Sequence, residues 1–361
     1  MKLIFGSKIS FGTANSSTFE MAYIFLKEFR LILAKLSFGK IINAGRVLTS
    51  YYISKIYKKP LIKAMPISIS IEPTTSCNLR CPECPSGLRQ FTRPTGMLDP
   101  DFFKKIIAEL KNSLVNLTFY FQGEPYLNPK FLEMVKHASE NGIFTITSTN
   151  AHYLNDENAR KTIESQLDKL IISIDGSSQE TYEQYRIGGD LSKVIEGTKN
   201  IVKWRKQLKS KTPYIVFQFL VVRPNEHQIA DVYKLAKELG VDDVKLKTAQ
   251  VYDFEHGNDL IPSNPYYSRY QQNPEGKWSI KNKLLNQCWR MWSGCVITWD
   301  GLIVPCCFDK DAKHQLGDLK TKSFKGVWLS ENYNDFRKSI LKSRKEIDIC
   351  TNCTEGTKVW A

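Results

Sequence analysis

Between Ile67 and Lys247 the chain alternates short apolar runs with helix-period stretches, and this alternation restricts the fold more than any other feature. The strand-like runs are Ile67–Ile71, Asn116–Phe121, Ile143–Ser148, Lys169–Ser173, Tyr214–Val222 and Val244–Lys247. Helical patterns fall between them at Asp99–Lys111, Pro129–Asn141, Asp156–Ser165, Gln179–Tyr185, Ser192–Lys209 and Glu226–Leu239. Pro100 sits where a first turn accepts proline, and Gly142 sits where a helix stops. Six such units are too few for a closed eight-fold barrel. Right-handed crossovers give instead an α/β fold, a partial (β/α)6 TIM-like barrel with its ligands at the C-terminal strand ends.

The first of those strand ends carries the densest chemistry. After Pro73 the chain places Cys77, Cys81 and Cys84 within eight residues, a C-x3-C-x2-C spacing. Three thiols cannot pair off as disulfides. They point to a metal or cluster that takes three protein ligands and keeps one position open. Structural zinc is the plainer rival, but it wants four ligands and favours C-x2-C pairs.

Cys77-Asn78-Leu79-Arg80-Cys81-Pro82-Glu83-Cys84, placed after a first strand, resembles the signature of radical S-adenosylmethionine (SAM) enzymes. The resemblance implies a [4Fe–4S] cluster on the three cysteines and SAM chelated at the fourth iron. Glu83 departs from it, since an aromatic residue is usual before the last cysteine. Further motifs of that family fall at successive strand ends. Gln122-Gly123-Glu124-Pro125 is similar to a Gly-Gly-Glu-Pro loop that contacts the methionine amino group, with Gln122 replacing the first glycine. Ser148-Thr149-Asn150 resembles a Thr-Asn-Gly segment, with Ala151 in the glycine's place, and Ser173-Ile174-Asp175-Gly176 a Ser-x-Asp-Gly stretch. By the same resemblance Ser173 and Arg186 face the methionine carboxylate, and Val222 gives an apolar contact to adenine. Gln122, Gly123, Glu124, Asn150, Ser173, Asp175, Arg186 and Val222 are thus the implied SAM contacts. The resemblance names no catalytic residue.

Six further cysteines lie in the last 75 residues: Cys288, Cys295, Cys306, Cys307, Cys350 and Cys353. Residues 296–305 read as a hairpin turned on Asp300-Gly301, answered by the distant Cys350/Cys353 pair. Softness alone permits zinc or an iron–sulfur cluster. The set resembles the SPASM domain that follows many radical SAM cores. It implies one auxiliary [4Fe–4S] cluster on Cys288, Cys306, Cys350 and Cys353, with Cys307 the alternative to Cys306. Cys295 is left over and reads as a small buried hydrophobe. The basic residues Arg337, Lys338, Lys342, Arg344 and Lys345 read as a solvated helix face, or as a surface for an anionic substrate or electron donor.

Charge separates the N-terminal segment from the rest. The net charge is +14, and residues 1–65 hold eleven Lys/Arg against Glu20 and Glu28. That balance is not the pattern of a nucleic-acid-binding core. A capping box at Ser17–Glu20 starts one helix running to Leu36, and Val47–Lys58 is a second. The apolar stripe of Met21, Phe25, Leu26, Phe29, Ile32, Leu33 and Leu36 either packs on the barrel or rests on an anionic membrane surface. No run spans a bilayer and the N-terminus lacks a signal peptide's apolar core, so the expected setting is cytoplasmic, with thiols reduced.

Four segments follow: 1–65 a basic helical extension, 66–249 the barrel, 250–287 a linker or lid, and 288–361 the small cysteine-rich hairpin-plus-helix domain. The implied activity is reductive cleavage of SAM to a 5′-deoxyadenosyl radical that abstracts hydrogen from a substrate. Relatives in the family modify peptides and protein side chains or dehydrogenate small alcohols; a peptide or a sugar- or lipid-linked molecule fits equally. The implied electron donor is a flavodoxin or ferredoxin. The rival is a non-catalytic zinc or iron–sulfur scaffold whose basic appendage binds membrane or nucleic acid.

Overall fold

The computed structural model describes residues 28–357 and residue 359. The capping box at Ser17–Glu20 and the apolar positions Met21, Phe25 and Leu26 lie outside the described residues.

Helix α1, Phe38–Tyr57, precedes the barrel. Strands β1 (Ser68–Ile71), β2 (Asn116–Phe119), β3 (Phe144–Thr149), β4 (Lys169–Ser173), β5 (Tyr214–Val221) and β6 (Asp243–Thr248) follow in chain order. Each pairs parallel with the next. Between them run α2 (Pro85–Leu88), α3 (Pro100–Leu110), α4 (Phe131–Glu140), α5 (Asp156–Glu164), α6 (Gln179–Tyr185), α7 (Leu191–Gln207) and α8 (Ile229–Leu239). Local chemistry sets the helix ends. The Asp99 carboxylate accepts the Phe102 N–H at 2.8 Å with Pro100 in the first turn, and Gly240 closes α8 in the left-handed region. The core lies between strands and helices, where Ile71, Phe103, Leu117, Phe119, Leu170 and Phe217 are fully buried.

Residues 250–287 fold back as a hairpin, β7 (Tyr270–Gln272) with β8 (Trp278–Ile280). Then come α9 (Arg290–Ser293), β9 (Gly294–Ile297), β10 (Leu302–Val304), β11 (Gly317–Asp318), α10 (Phe324–Trp328), α11 (Glu331–Ser343) and α12 (Asp348–Thr351). The cysteine-rich hairpin does not form a sheet of its own. Strand β9 pairs parallel with β1 from Ser68↔Gly294 to Ile71↔Ile297, giving one nine-stranded sheet in the order β11-β10-β9-β1-β2-β3-β4-β5-β6. Gly294 permits that approach, since a Cβ there would run into Ser68 O.

Two expectations need correction and one alternative is decided. The second N-terminal helix starts at Phe38 rather than Val47, because the Ser37 hydroxyl caps it by accepting the Lys40 N–H at 3.4 Å, and Gly39 and Gly45 are carried inside it. Of the two alternatives for the apolar stripe, barrel packing holds for Ile32, which with Leu36 packs against Val115 and Phe144 at the start of the sheet. Arg337 and Arg344 are not solvated: both are buried, 0% and 1% exposed. Arg337 shares a face of α11 with Tyr333, Ile340 and Leu341, a spacing that marks the buried side, and Arg344 caps the same helix. Arg337 donates to Met291 O and Trp328 O while stacking on the Tyr333 ring, 3.8 Å from its centroid.

Candidate cluster and cofactor site

The loop after β1 is clamped at both ends before it presents any thiol. Glu72, fully buried, takes a two-pronged hydrogen bond from Arg93 at 2.8 and 2.6 Å and also accepts the Trp299 N–H. Burial raises its carboxyl above the ordinary range while Arg93 pulls it back. Asn128 donates to Pro73 O and Leu98 O. Gly123 then lies against the loop: its φ is +75°, a Cβ would run into Thr74 O, and the next N–H, of Glu124, donates to Ser76 O at 2.8 Å.

Cys81 is buried and Cys77 and Cys84 are half-buried. Burial pushes the Cys77 thiol up to about 12 and raises Cys81 against the pull of Arg186. Bare thiolates are therefore disfavoured here, a cost that a bound cation would offset. Among the described residues no three His, Cys, Asp or Glu side chains close on one point as they would around a single metal ion. Three thiols in a C-x3-C-x2-C loop are a donor set that suits an iron–sulfur cluster.

The strand ends converge on this loop. Asp175, fully buried, accepts the Leu220 N–H at 2.7 Å and Arg186 Nε at 2.5 Å; Arg186 Nη1 lies 3.7 Å from Cys81 Sγ. Asn150 donates from Nδ2 to Asn78 Oδ1 at 2.8 Å, inside the cysteine loop. Ser173 and Ser148 hydroxyls are 3.4 Å apart. Val222 packs with Leu79, Cys81 and Tyr185. The carboxylate of Glu124 is turned inward, accepting from Thr149 Oγ1 at 2.7 Å and the Asn150 N–H at 2.8 Å, and burial pushes its pKa up to about 7. It joins the second and third strand ends. Gln122 reaches the thiol loop, its Oε1 3.8 Å from Cys84 Sγ and 3.4 Å from Ser86 Oγ. Glu83 holds the segment after β6 by accepting the Tyr252 N–H at 2.9 Å.

At the C-terminal end, Cys288, Cys350 and Cys353 are buried, Cys306 is half-buried and Cys307 is exposed. Arg344 Nη2 donates to Cys353 Sγ at 3.0 Å and to Glu355 O at 2.7 Å; Cys353 Sγ also accepts the Glu355 N–H at 3.3 Å. Such N–H···S bonds suit thiolate ligands of a cluster. Cys295 lies on β9 in the main core, its thiol pushed up to about 12 by burial. Burial raises the Cys306 thiol, which has Cys307, Cys288 and Cys353 around it; the exposed Cys307 has Arg290, Glu355 and Lys310 near it. Missed by sequence reasoning were Asn78, Glu72 with Arg93, and Arg344; only Arg344 carried a signal, its i+4 spacing from Ile340 just past the end of α11.

A (β/α)6 sheet with three thiols after its first strand and contacts at the following strand ends defines a class of SAM-dependent iron–sulfur proteins. Residues 71–236 match the family model described as the radical SAM superfamily, and residues 288–354 match SPASM, an iron–sulfur cluster-binding domain. The chain belongs to the radical SAM enzymes that carry a SPASM domain. Similar curated proteins include the tungsten-containing aldehyde ferredoxin oxidoreductase cofactor-modifying protein of Pyrococcus furiosus, 27% identical over 79% of this chain and 86% of that protein. PqqA peptide cyclase of Rhodopseudomonas palustris is 27% identical over 52% of this chain and 48% of its own length. Among solved structures, Streptococcus suis SuiB bound to S-adenosylmethionine aligns over 86% of this chain and 77% of its own, with a TM-score of 0.60 at 14% identity. The anSMEcpe protein with bound AdoMet aligns over 82% of this chain and 86% of its own, with a TM-score of 0.57 at 20% identity. Membership makes the chain an enzyme with SAM and iron–sulfur clusters as cofactors, cleaving SAM to a radical and drawing on a reductant and a substrate. No described helix is long and apolar enough to cross a membrane.

Proposed function

We propose that Cys77, Cys81 and Cys84 hold the SAM-binding cluster and that the radical formed there abstracts hydrogen from a substrate bearing an anionic group. When bound, the cluster supplies one electron to SAM, which gives methionine and the 5′-deoxyadenosyl radical. The chain's own part is positioning. Gly123 lets backbone come close, Asp175 aims Arg186 at the space beside Cys81, and Val222 offers an apolar wall for adenine. Ser173 and Asn150 complete the polar lining, while Gln122 and Glu124 hold the loop that carries them.

The proximity of Arg186 to Cys81, fixed by buried Asp175, is the observation that carries this reading. A guanidinium beside the cluster loop suits the SAM carboxylate. For the second centre we propose one [4Fe–4S] cluster on Cys288, Cys306, Cys350 and Cys353, which when present accepts an electron from the substrate radical or helps bind substrate. The shared surroundings of Cys306, Cys288 and Cys353 support Cys306 over Cys307. The proposed division remains 1–65, 66–249, 250–287 and 288–361, although β9–β11 extend the barrel sheet.

Support for an anionic substrate comes from the open side. Tyr120, 37% exposed, neighbours Cys307, Arg290 and Glu355. Lys310 lies 4.7 Å from the centroid of the Tyr252 ring, on the segment that Glu83 anchors. Burial opposes it, yet Arg290, Lys247 and Arg269 hold the Glu355 carboxyl below its ordinary range. Arg290, Lys247 and Arg269 thus outnumber the Glu355 carboxylate that they surround. A flavodoxin or ferredoxin is the proposed donor, in a cytoplasmic setting where thiols stay reduced. A cell extract split on an anion exchanger tests the substrate class. The retained fraction should stimulate 5′-deoxyadenosine formation in the wild type and not in Arg290→Ala; stimulation confined to the unretained fraction contradicts it.

A further inference from the structure

Helix α1 is amphipathic the wrong way round for a helix that only packs on its own protein. Its polar-bearing side faces inward: Lys40, Val47, Ser50, Tyr51 and Ser54 are buried. Lys40 Nζ donates to Gly142 O at 2.5 Å, Asn43 exchanges two hydrogen bonds with the backbone of Met65, and Trp292 Nε1 donates to Ser54 Oγ at 3.0 Å. Tyr51 meets the rings of Trp289 and Trp292 edge-on. The helix is therefore fixed to α9, the short helix that follows Cys288.

The opposite side is apolar and open. Phe38, Ile41, Ile42, Tyr52, Ile53 and Ile56 are exposed, Phe38 at 79% and Ile56 at 72%. At 100° per residue they fall, with Gly45 and Thr49, within an arc of about 120°. Arg46, Lys55, Lys58, Lys59 and Lys63 are exposed on and just beyond the same helix, and no Asp or Glu occurs between Glu28 and Glu72. An apolar stripe set among cations of one sign, on a rigidly attached helix, complements one kind of surface. A second copy would bring like charges together, and a nucleic acid would leave the apolar stripe without a partner.

We propose that α1 lies in the plane of an anionic lipid surface, its apolar stripe at the headgroup–acyl boundary and its cations among the headgroups. The 20 residues of α1 give a footprint of about 30 Å along the surface. Because α1 is fastened through Ser54 and Tyr51 to the segment after Cys288, docking would fix how the whole enzyme sits on the surface. The proposal is independent of the catalytic reading.

The test uses the full chain and sedimentation with vesicles of phosphatidylcholine mixed with phosphatidylglycerol, against phosphatidylcholine alone. The wild type should sediment with the anionic vesicles, and less as salt is raised. Ile41→Asp/Ile56→Asp should lower binding more than ten-fold, and each reversal among Lys55, Lys58 and Lys59 about five-fold. Both sets should keep the wild-type far-ultraviolet dichroism and 5′-deoxyadenosine yield. No binding by the wild type, or equal binding by the Ile41/Ile56 variant, overturns the proposal. So does a concentration-dependent dimer that the same variant dissociates, without vesicle binding.

Discussion

Arg186 Nη1 lies 3.7 Å from the sulfur of Cys81, and the same side chain is held from behind by Asp175 at 2.5 Å. A cation fixed beside a cluster ligand acts in two ways: it favours the thiolate and it offers a donor to a bound carboxylate. Arg186→Met should keep the iron content, weaken SAM binding roughly ten- to one-hundred-fold and shift the cluster potential downward. Binding assays and redox titration of the reconstituted protein check this. Unchanged affinity together with unchanged potential would remove Arg186 from the site.

Gly123 should be among the least replaceable residues. Its φ of +75° is costly for an L side chain, and the added Cβ would meet Thr74 O on the cluster loop. Gly123→Ala should destabilise the fold by about 2–4 kcal/mol and reduce iron incorporation. Calorimetry and iron assay read the two effects separately.

The C-terminal cysteines should divide sharply in an iron count. Cys350→Ala, Cys353→Ala and Cys306→Ala should each lose roughly four irons per chain, while Cys295→Ala and Cys307→Ala lose none. The reverse result for Cys306 and Cys307 would exchange their roles. Arg344→Leu should also loosen the centre, because it removes a donor to Cys353.

Lys40 gives a pH signature. Burial first, and Lys35 second, lower its pKa to about 8 from 10.5. Because the folded pKa lies below the unfolded one, its contribution to stability is fully present above about 10.5 and is lost as pH falls through about 8. The wild type should therefore gain thermal stability relative to Lys40→Met as pH rises across that window. Parallel curves for the two proteins would contradict the shift.

The barrel was readable because each strand and helix announces itself locally: periodicity, Pro100 in a first turn, Gly142 at a helix end. The cysteine motifs were readable as spacing. What escaped depends on partners far apart in sequence. Pairing of β9 with β1 is set by a long-range register, and no local pattern in residues 294–297 names β1 as neighbour. Gln122 and Glu83 looked like departures from a motif; in the fold each has a contact, with Cys84 and with Tyr252 N–H. The second N-terminal helix was read as starting at Val47, but the Ser37 cap and the contacts of Lys40, Asn43 and Tyr51 carry α1 through Gly39 and Gly45. Arg337 and Arg344 were judged by charge, whereas the helical face of Arg337 and the cap position of Arg344 decided their burial.

The central claim, that Cys77, Cys81 and Cys84 hold the cluster that cleaves SAM, is tested by one assay. Anaerobically reconstituted protein, with about eight irons per chain if both centres form, is reduced with dithionite in the presence of SAM and 5′-deoxyadenosine is quantified. The wild type should produce it and Cys81→Ala should not, while the mutant keeps the irons of the C-terminal centre. Equal yields from both proteins, or none from fully loaded wild type, would contradict the account.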